Sequence, residues 1–385
     1  MPEIWLDILT YLSYPGDIKN ASLACQSLRQ MAQPLLFRYL KFRPYDNLQT
    51  SSSSKELVPW ALQKIDFCSS NQSIASAVRR VDIHVPFLDI EDQDQHNLIL
   101  NSIFKQLPKL VSLATVVCRC VLCTSHHLKH LSELGRLGRL ELTDCSLDIP
   151  ADRSITLRVS SLEISSLQLF PIDEWLSYFR ADSVSIAIGD QFRNILPDLA
   201  TSPSIIQRLQ SLHTTIQRGT LPLLAKVLSH RPPLKSLRLR STEIITKSDF
   251  RALSFTPPPL LDTYWGPYEL IYALSTKSLH DLRHVKLSSS SVDGLDNPID
   301  IQLAILSWEE LAMRLETLQF SVRYLTEDLL KTVINHCSKL KKLTIAADNR
   351  SLVNLDAYTS QVCLPLDKCH YRDTHIDTIR TSFLR

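Results

Sequence analysis

At 385 residues the chain holds two or three ordinary domains, or one short module followed by a repeat array. Its 44% hydrophobic and 21% charged residues argue against global disorder, and a formal net charge of +2 supplies no general drive toward nucleic acid or anionic membranes. Only 7 glycines occur, where average usage gives roughly 27, and there is no G-x-G-x-x-G or G-x-x-x-x-G-K-[ST] run to cradle a nucleotide.

The opening MPEIWLDIL lacks a basic segment and a small-residue cleavage site, so it does not read as a secretory signal. The most apolar stretch, Leu110 to Cys123, is interrupted by Arg119 and, at about 14 residues, is too short to span a bilayer. Nine cysteines in irregular spacing fit a reducing compartment. The expectation is a cytoplasmic or nuclear protein with no membrane segment and no nucleic-acid partner.

Residues Glu3 to Leu12 read as a helix on which Ile4, Trp5, Leu6, Ile8, Leu9, Tyr11 and Leu12 cover an apolar arc of roughly 220°. That is more than one core-facing stripe requires, so two faces need burial. Pro15-Gly16 breaks the helix, and Asp17 is placed to cap a second one carrying Ile18, Ala21, Cys25, Leu28 and Ala32. Pro34 ends that helix or starts a third short turn with Leu35, Leu36, Phe37 and Leu40. Some forty residues hide this much apolar surface poorly alone, which points to a partner protein lying across the first helix.

The run from Pro2 through Phe42 resembles an F-box of the fungal type, on Pro2, Glu3, Ile4, Ile8-Leu9, Leu12, Pro15, Asp17-Ile18, Ala21-Ser22, Cys25, Leu28 and the closing Pro34-Leu35-Leu36-Phe37-Arg38. The Leu-Pro pair that usually opens the motif is shortened here to Met1-Pro2. The resemblance implies a three-helix module docking on the Skp adaptor of a cullin-RING (SCF-type) ubiquitin ligase. The implied adaptor contacts are Pro2, Ile4, Trp5, Ile8, Leu9, Leu12, Pro15, Ile18, Cys25 and Leu28. The competing reading is a helical cap on the repeats that follow.

Residues 44–72, with Ser51 to Ser54, read as a linker and a short helix near Trp60 to Cys68. From about residue 73, short runs of the form L-x-x-L-x-L recur. The clear ones are Val78/Val81/Ile83, Leu137/Leu140/Leu142, Val159/Leu162/Ile164, Leu234/Leu237/Leu239, Leu282/Val285/Leu287, Leu315/Leu318/Phe320 and Leu340/Leu343/Ile345. Weaker ones are Leu110/Leu113/Thr115, Ala181/Val184/Ile186 and Leu209/Leu212/Thr214. Starts lie 22 to 33 residues apart except for a 48-residue gap after Leu234, where a degenerate repeat is expected near Leu260.

The spacing resembles a leucine-rich repeat, whose period is roughly 20–29 residues. Cys118 and Cys145 fall on its Asn/Cys position, and Leu88, Leu147, Leu169, Ile244, Val292 and Leu325 on the later apolar one. Helices are expected from Asp173, over Pro222 to Leu228, Tyr268 to Leu274 and Ile301 to Leu311, and after Thr326 as an N-cap. The fold class is therefore α/β: an F-box module (1–43), a linker (44–72), a solenoid of parallel strands alternating with helices (73–348), and a tail (349–385) that caps the array or lacks order.

Residues between the leucines face the inner surface of such an array, and the later repeats carry more bases there: Arg238, Arg240, His284, Lys286 and Lys342. An acidic or phosphorylated client segment is the expected ligand, against the plainer reading of a solvated polar face. A zinc site at Cys118, Cys120, Cys123, His126, His127 and His130 competes with the repeat role of Cys118, and no second C-x-x-C pair exists. Neither a metal nor another cofactor is expected. A Cys/His hydrolase built on His336 and Cys337 is the remote alternative, since neighbours in a helix do not face each other. The favoured function is non-catalytic bridging of adaptor, and through it cullin, to a protein client. An adaptor-independent repeat scaffold is the rival.

Overall fold

The computed structural model describes residues 8–9, 12, 15–43, 54–85, 93–147, 156–166, 178–188, 195–241, 243–253, 255–274, 279–288, 295–308, 310–347 and 368–373. Two compact units divide the chain, Met1–Ser183 and Val184–Arg385. No helix among the described residues is long and apolar enough to cross a membrane.

Near its start the first unit holds a pair of helices, Pro15–Ala24 and Gln26–Leu36. One continuous second helix was expected. Cys25 divides it instead, with extended backbone and a sulfur that accepts the Leu28 N–H at 3.5 Å as the cap of the next helix. Asp17 consequently sits inside a first turn and not at a cap. Pro34 does not end the helix. It lies in the last turn, and Phe37 N–H still reaches Gln33 O at 3.0 Å. A proline lacks an amide hydrogen, and so near a C-terminus it forfeits one bond without breaking the turn.

Residues Tyr39–Phe42, expected within the helical module, form strand β1 and pair in parallel with β2 (Arg80–His84). Their alternation Tyr-Leu-Lys-Phe buries Leu40 and Phe42 and turns Tyr39 and Lys41 outward, which is the strand period of two. The short helix expected near Trp60 runs from Ser54 to Ser70, and Asn71 then caps Gln72–Ala77 through Oδ1 bonds from Ser73 N and Ile74 N at 3.1 and 3.2 Å. A helix absent from the sequence reading, Gln93–Gln106, buries Ile99, Leu100, Ile103 and Phe104 at helical spacing.

Strands β3 (Thr115–Arg119), β5 (Arg139–Thr143) and β7 (Leu157–Ser166) continue the sheet in parallel, while β4 (Leu122–Cys123) and β6 (Ser146–Leu147) pair with each other. Val81, Val116, Leu140 and Leu162 lie opposite one another, and so do Ile83, Cys118, Leu142 and Ile164. This register corrects the third repeat. Its core triplet is Leu113/Val116/Cys118, three residues later than Leu110/Leu113/Thr115. Cys118 is therefore a strand core residue, and Val121 takes the place equivalent to Cys145, because Cys123 pairs with Leu147.

Cys120 and Asp144 stand at matching points just after β3 and β5, both with left-handed backbone at φ 53° and 50°. Their N–H groups bond to carbonyls at the end of the next strand, Thr143 O at 2.9 Å and the penultimate Ser165 O at 2.7 Å. The turn from one sheet to the other requires that geometry, which costs a non-glycine residue roughly 1 kcal/mol.

Strand β8 (Phe179–Ile188) spans the division, and its Val184–Ala187 part pairs in the second unit with β9 (Leu209–Ile216) across a bulge at Val184/Ser185. Strands β10 (Ser236–Ser241), β11 (Thr263–Gly266), β12 (His284–Leu287), β13 (Thr317–Val322) and β14 (Lys342–Ala347) follow, each parallel to the last. Leu212, Leu237, Tyr264, Val285, Leu318 and Leu343 form one buried column. The 48-residue gap thus holds a repeat, as expected, with Leu261, Tyr264 and Gly266 in place of three leucines. In the tail, Lys368–Asp373 forms β15 and adds to β14 in parallel.

Helices Leu221–Ser229, Tyr268–Ala273 and Pro298–Ser307 occupy the expected places within a few residues, whereas the one expected from Asp173 falls outside the described residues. Leu325 is buried as expected, but Ile244 is 51% exposed and the next residue, Ile245, fills that core position. Thr326 caps Glu327–His336 as expected, accepting the Leu329 N–H at 3.3 Å. Thr326→Ala should cost about 1 kcal/mol, read as faster amide exchange at Leu329 and Leu330 with the rest of the unit unchanged.

Candidate functional site

The ten residues implied as adaptor contacts fall into three groups. Pro2, Ile4 and Trp5 lie outside the described residues, as does the side chain of Pro15. Ile8 is helical and 45% exposed, Cys25 is exposed, and Leu12, Ile18 and Leu28 are half-buried. Leu9 is 2% exposed and belongs to this chain's own core. Leu23, absent from the implied set, is 64% exposed and borders a shallow depression completed by Cys25, Gln26, Arg29, Gln30 and Gln33.

The solvent-facing strand positions of the two units differ in charge. In the first unit, bases and acids satisfy one another. Glu141 receives Arg80 at 3.3 Å and Arg139 at 2.8 Å, and Arg139 also reaches Glu163 at 2.8 Å. Buried Asp82 accepts the Tyr39 hydroxyl at 2.8 Å and lies 3.8 and 3.6 Å from Arg43 and Arg119. In the second unit, the corresponding positions of β9 to β14 carry Arg238, Arg240, Lys286, Lys342, His213 and His284 and no Asp or Glu.

Parallel register sorts those residues into rows. One holds Ser211, Ser236, Thr263, His284, Thr317 and Lys342. The next holds His213, Arg238, Trp265, Lys286 and Gln319. Trp265, which sequence reasoning missed, organises the second row. Lys286 Nζ sits 3.7 Å from the centre of its ring, the Arg238 guanidinium 5.6 Å away, and the His213 ring stacks at 6.3 Å and 20°. The ring quadrupole attracts both cations and holds them over one indole. Burial, and then the Arg238 charge, lower the pKa of His213. Of the five expected client contacts, Arg238 and Lys286 meet on Trp265. His284 sits one row over, bonded to Thr317 at 3.0 Å and 4.0 Å from Asp262. Lys342 is two strands further in that row, and Arg240 is one position beyond Arg238.

The Cys/His run is put to structural use. His127 is buried, takes the Thr124 N–H on Nδ1 at 3.2 Å and stacks on Phe104 at 4.4 Å. Its Nε2 therefore carries the proton and donates to Asn101 Oδ1 at 2.8 Å. His126 and His130 face each other on the outer side of the Ser125–Ser132 helix, Nε2 to Nε2 at 3.2 Å. Among the described residues no three His, Cys, Asp or Glu side chains converge to hold a metal. Burial pushes the Cys337 thiol to about 12, and His336 Nδ1 is engaged with Thr332 O at 2.9 Å, so neither is poised as nucleophile or base.

One buried carboxyl stands out behind the β11 strand. Burial first, then the charges of Asp296 and Asp300, raise Glu269 to about 7, against a hydrogen bond from Tyr268 that favours ionisation. Its Oε2 makes no hydrogen bond to the described residues. A carboxyl raised in the folded state binds its proton more tightly folded than unfolded, so its contribution is whole at low pH. Stability should decline as pH climbs from about 4.5 to about 7 and then level off. Glu269→Gln should abolish that decline and gain on the order of 1–2 kcal/mol over the native chain at pH 8, measured by urea midpoints across the range.

No family model and no curated protein matches the chain. Among solved structures it is similar to one titled "Crystal structure of TLR13-ssRNA13 complex", at 14% identity and a TM-score of 0.34, over 71% of this chain and 46% of that one.

Proposed function

We propose that the chain is a non-catalytic recruiting subunit of an SCF-type ubiquitin ligase. Its F-box-like N-terminal helices dock on the Skp adaptor, and its strand–helix repeats hold a protein client. The reading is supported by apolar surface left open near the N-terminus, at Ile8 and, beside a depression lined by Cys25 and Gln26, at Leu23, within a run that resembles the F-box apart from its shortened opening pair. Ubiquitination then gains rate from proximity, with no reaction step performed by these residues.

One observation favours the rival, a scaffold that needs no adaptor. Leu9 is covered within the chain, and β1 ties the helical pair to the sheet, as a cap would be tied. Co-expression of the full-length chain with the Skp adaptor separates the two. Co-elution as a stoichiometric complex is the result expected, and two separate peaks would leave only the scaffold. Removing residues 1–43 is a poor substitute, because it strips β1 from β2 and bares the edge that Leu40 and Phe42 cover.

A further inference from the structure

We propose that His126 and His130 chelate an exchangeable divalent ion of the late first transition row, such as zinc or nickel, on the outer side of the Ser125–Ser132 helix. This goes beyond the recruiting role and does not depend on it.

The two imidazoles stand four residues apart, the spacing that makes side chains neighbours on a helix. Their Nε2 atoms are 3.2 Å apart, with ring centres 4.6 Å apart and ring planes at 77°. A metal bound to nitrogen at about 2.0–2.1 Å, with tetrahedral or octahedral bond angles, spans roughly 2.9–3.4 Å between two such ligands. The pair stands at that bite, so coordination asks for rotation of the rings and no movement of the backbone. His126 is exposed and His130 half-buried, so an ion reaches them from solvent. The opposite side of the helix is fixed, because His127 is buried, completes the capping box with Thr124 and stacks on Phe104.

His130 is oriented through its second nitrogen. Its Nδ1 lies 3.3 Å from Glu133 Oε2, and a carboxylate can only accept. In the neutral ring Nδ1 therefore carries the hydrogen and Nε2 the lone pair. A carboxylate behind a histidine ligand fixes the tautomer in this way and strengthens the ring as a donor. In the hydrogen-bonded pair His126 Nε2 donates to that lone pair. On coordination the His126 hydrogen passes to its Nδ1, and both Nε2 lone pairs meet the ion with no net loss of a proton.

Imidazole nitrogen favours late transition ions over magnesium and calcium, which take oxygen donors. The thiols Cys118 and Cys123 of the same run are wholly buried and take no part. Two protein donors fall short of the four of a structural zinc site and the three of a catalytic one. Water completes the shell, and the ion exchanges.

The test is equilibrium dialysis of the full-length chain against zinc, nickel, cobalt or magnesium at neutral pH, under a phosphine reductant. The three transition ions should bind, and magnesium should not. His126→Ala and His130→Ala should each weaken one bound equivalent at least tenfold, whereas His230→Ala, at an exposed histidine elsewhere, should change nothing. Because His126 is exposed, His126→Ala decides the matter even where His130→Ala alters the melting curve. Glu133→Gln, at a positioning residue, should weaken binding several-fold while the absorption spectrum of bound cobalt keeps its shape. Cobalt in the histidine-dependent equivalent should show no thiolate charge-transfer band. Equal zinc binding by the native and His126→Ala chains, a thiolate band in that equivalent, or magnesium bound as tightly as zinc would each overturn the assignment.

Discussion

Replacing Ile8 with aspartate should weaken capture of the full-length chain by the Skp adaptor at least a hundredfold while leaving its fold intact. A carboxylate forced into a dry interface without a partner costs several kcal/mol, and about 2.8 kcal/mol already corresponds to a factor of a hundred. Position 8 suits the experiment because the isoleucine is 45% exposed in the chain alone, so its charge stays hydrated until a partner arrives. Position 9 does not. Leu9 is 2% exposed, and an aspartate there would put a charge into the chain's own core, so loss of docking would say nothing about the interface. Calorimetric titration with purified adaptor reads the effect directly, and an Ile8→Asp variant with native affinity would end the assignment of this helix to an interface.

Gly266→Ala should destabilise the second unit by about 2–3 kcal/mol, an unusually large cost for one methyl group. Gly266 occupies the place of the third leucine in its repeat because Tyr264, two residues earlier on the same side of β11, already fills that space. An added Cβ would lie 2.5 Å from the Tyr264 hydroxyl oxygen, 2.9 Å from its Cζ and 3.2 Å from Leu239 Cβ. The tyrosine has nowhere to go, being wholly buried with its hydroxyl donating to Pro267 O at 2.7 Å. Tyr264→Leu alone should also destabilise, since the carbonyl of Pro267 loses its donor and the space is underfilled. In the Tyr264→Leu background, however, the added methyl finds room, and the cost of Gly266→Ala should fall by at least about 1 kcal/mol. That coupling is what a double-mutant cycle measures. Additive effects would show that the glycine serves some other purpose.

Much of the strand content was legible because L-x-x-L-x-L combines a strand period with a recurrence along the chain. Leu137/Leu140/Leu142 and Leu315/Leu318/Phe320 needed nothing further. The third repeat was misplaced by three residues because Leu110, Leu113, Val116 and Cys118 satisfy the spacing in two frames, and only pairing with Val81 and Leu140 selects between them. The β11 repeat was faint because a tyrosine and a glycine jointly replace two leucines, a trade visible only when their side chains share one space. Tyr39–Phe42 alternates plainly enough, but its strand character was absorbed into the expected helical module. The break at Cys25 had no clear signal, since cysteine is seldom a helix cap.

In the clear repeats the sequence by itself determined which residues face the core and which face solvent, because alternation along a strand is set by neighbours a few positions away. It also marked the basic character of the later repeats. Only the tertiary structure decided that Arg238 and Lys286 share Trp265 while Arg139 is consumed by Glu141 and Glu163. Arg238 and Lys286 stand 48 positions apart along the chain and Arg139 and Glu163 stand 24 apart, and whether such residues become neighbours depends on strand register. Register is a property of how separate segments pack against one another, and no local pattern encodes it.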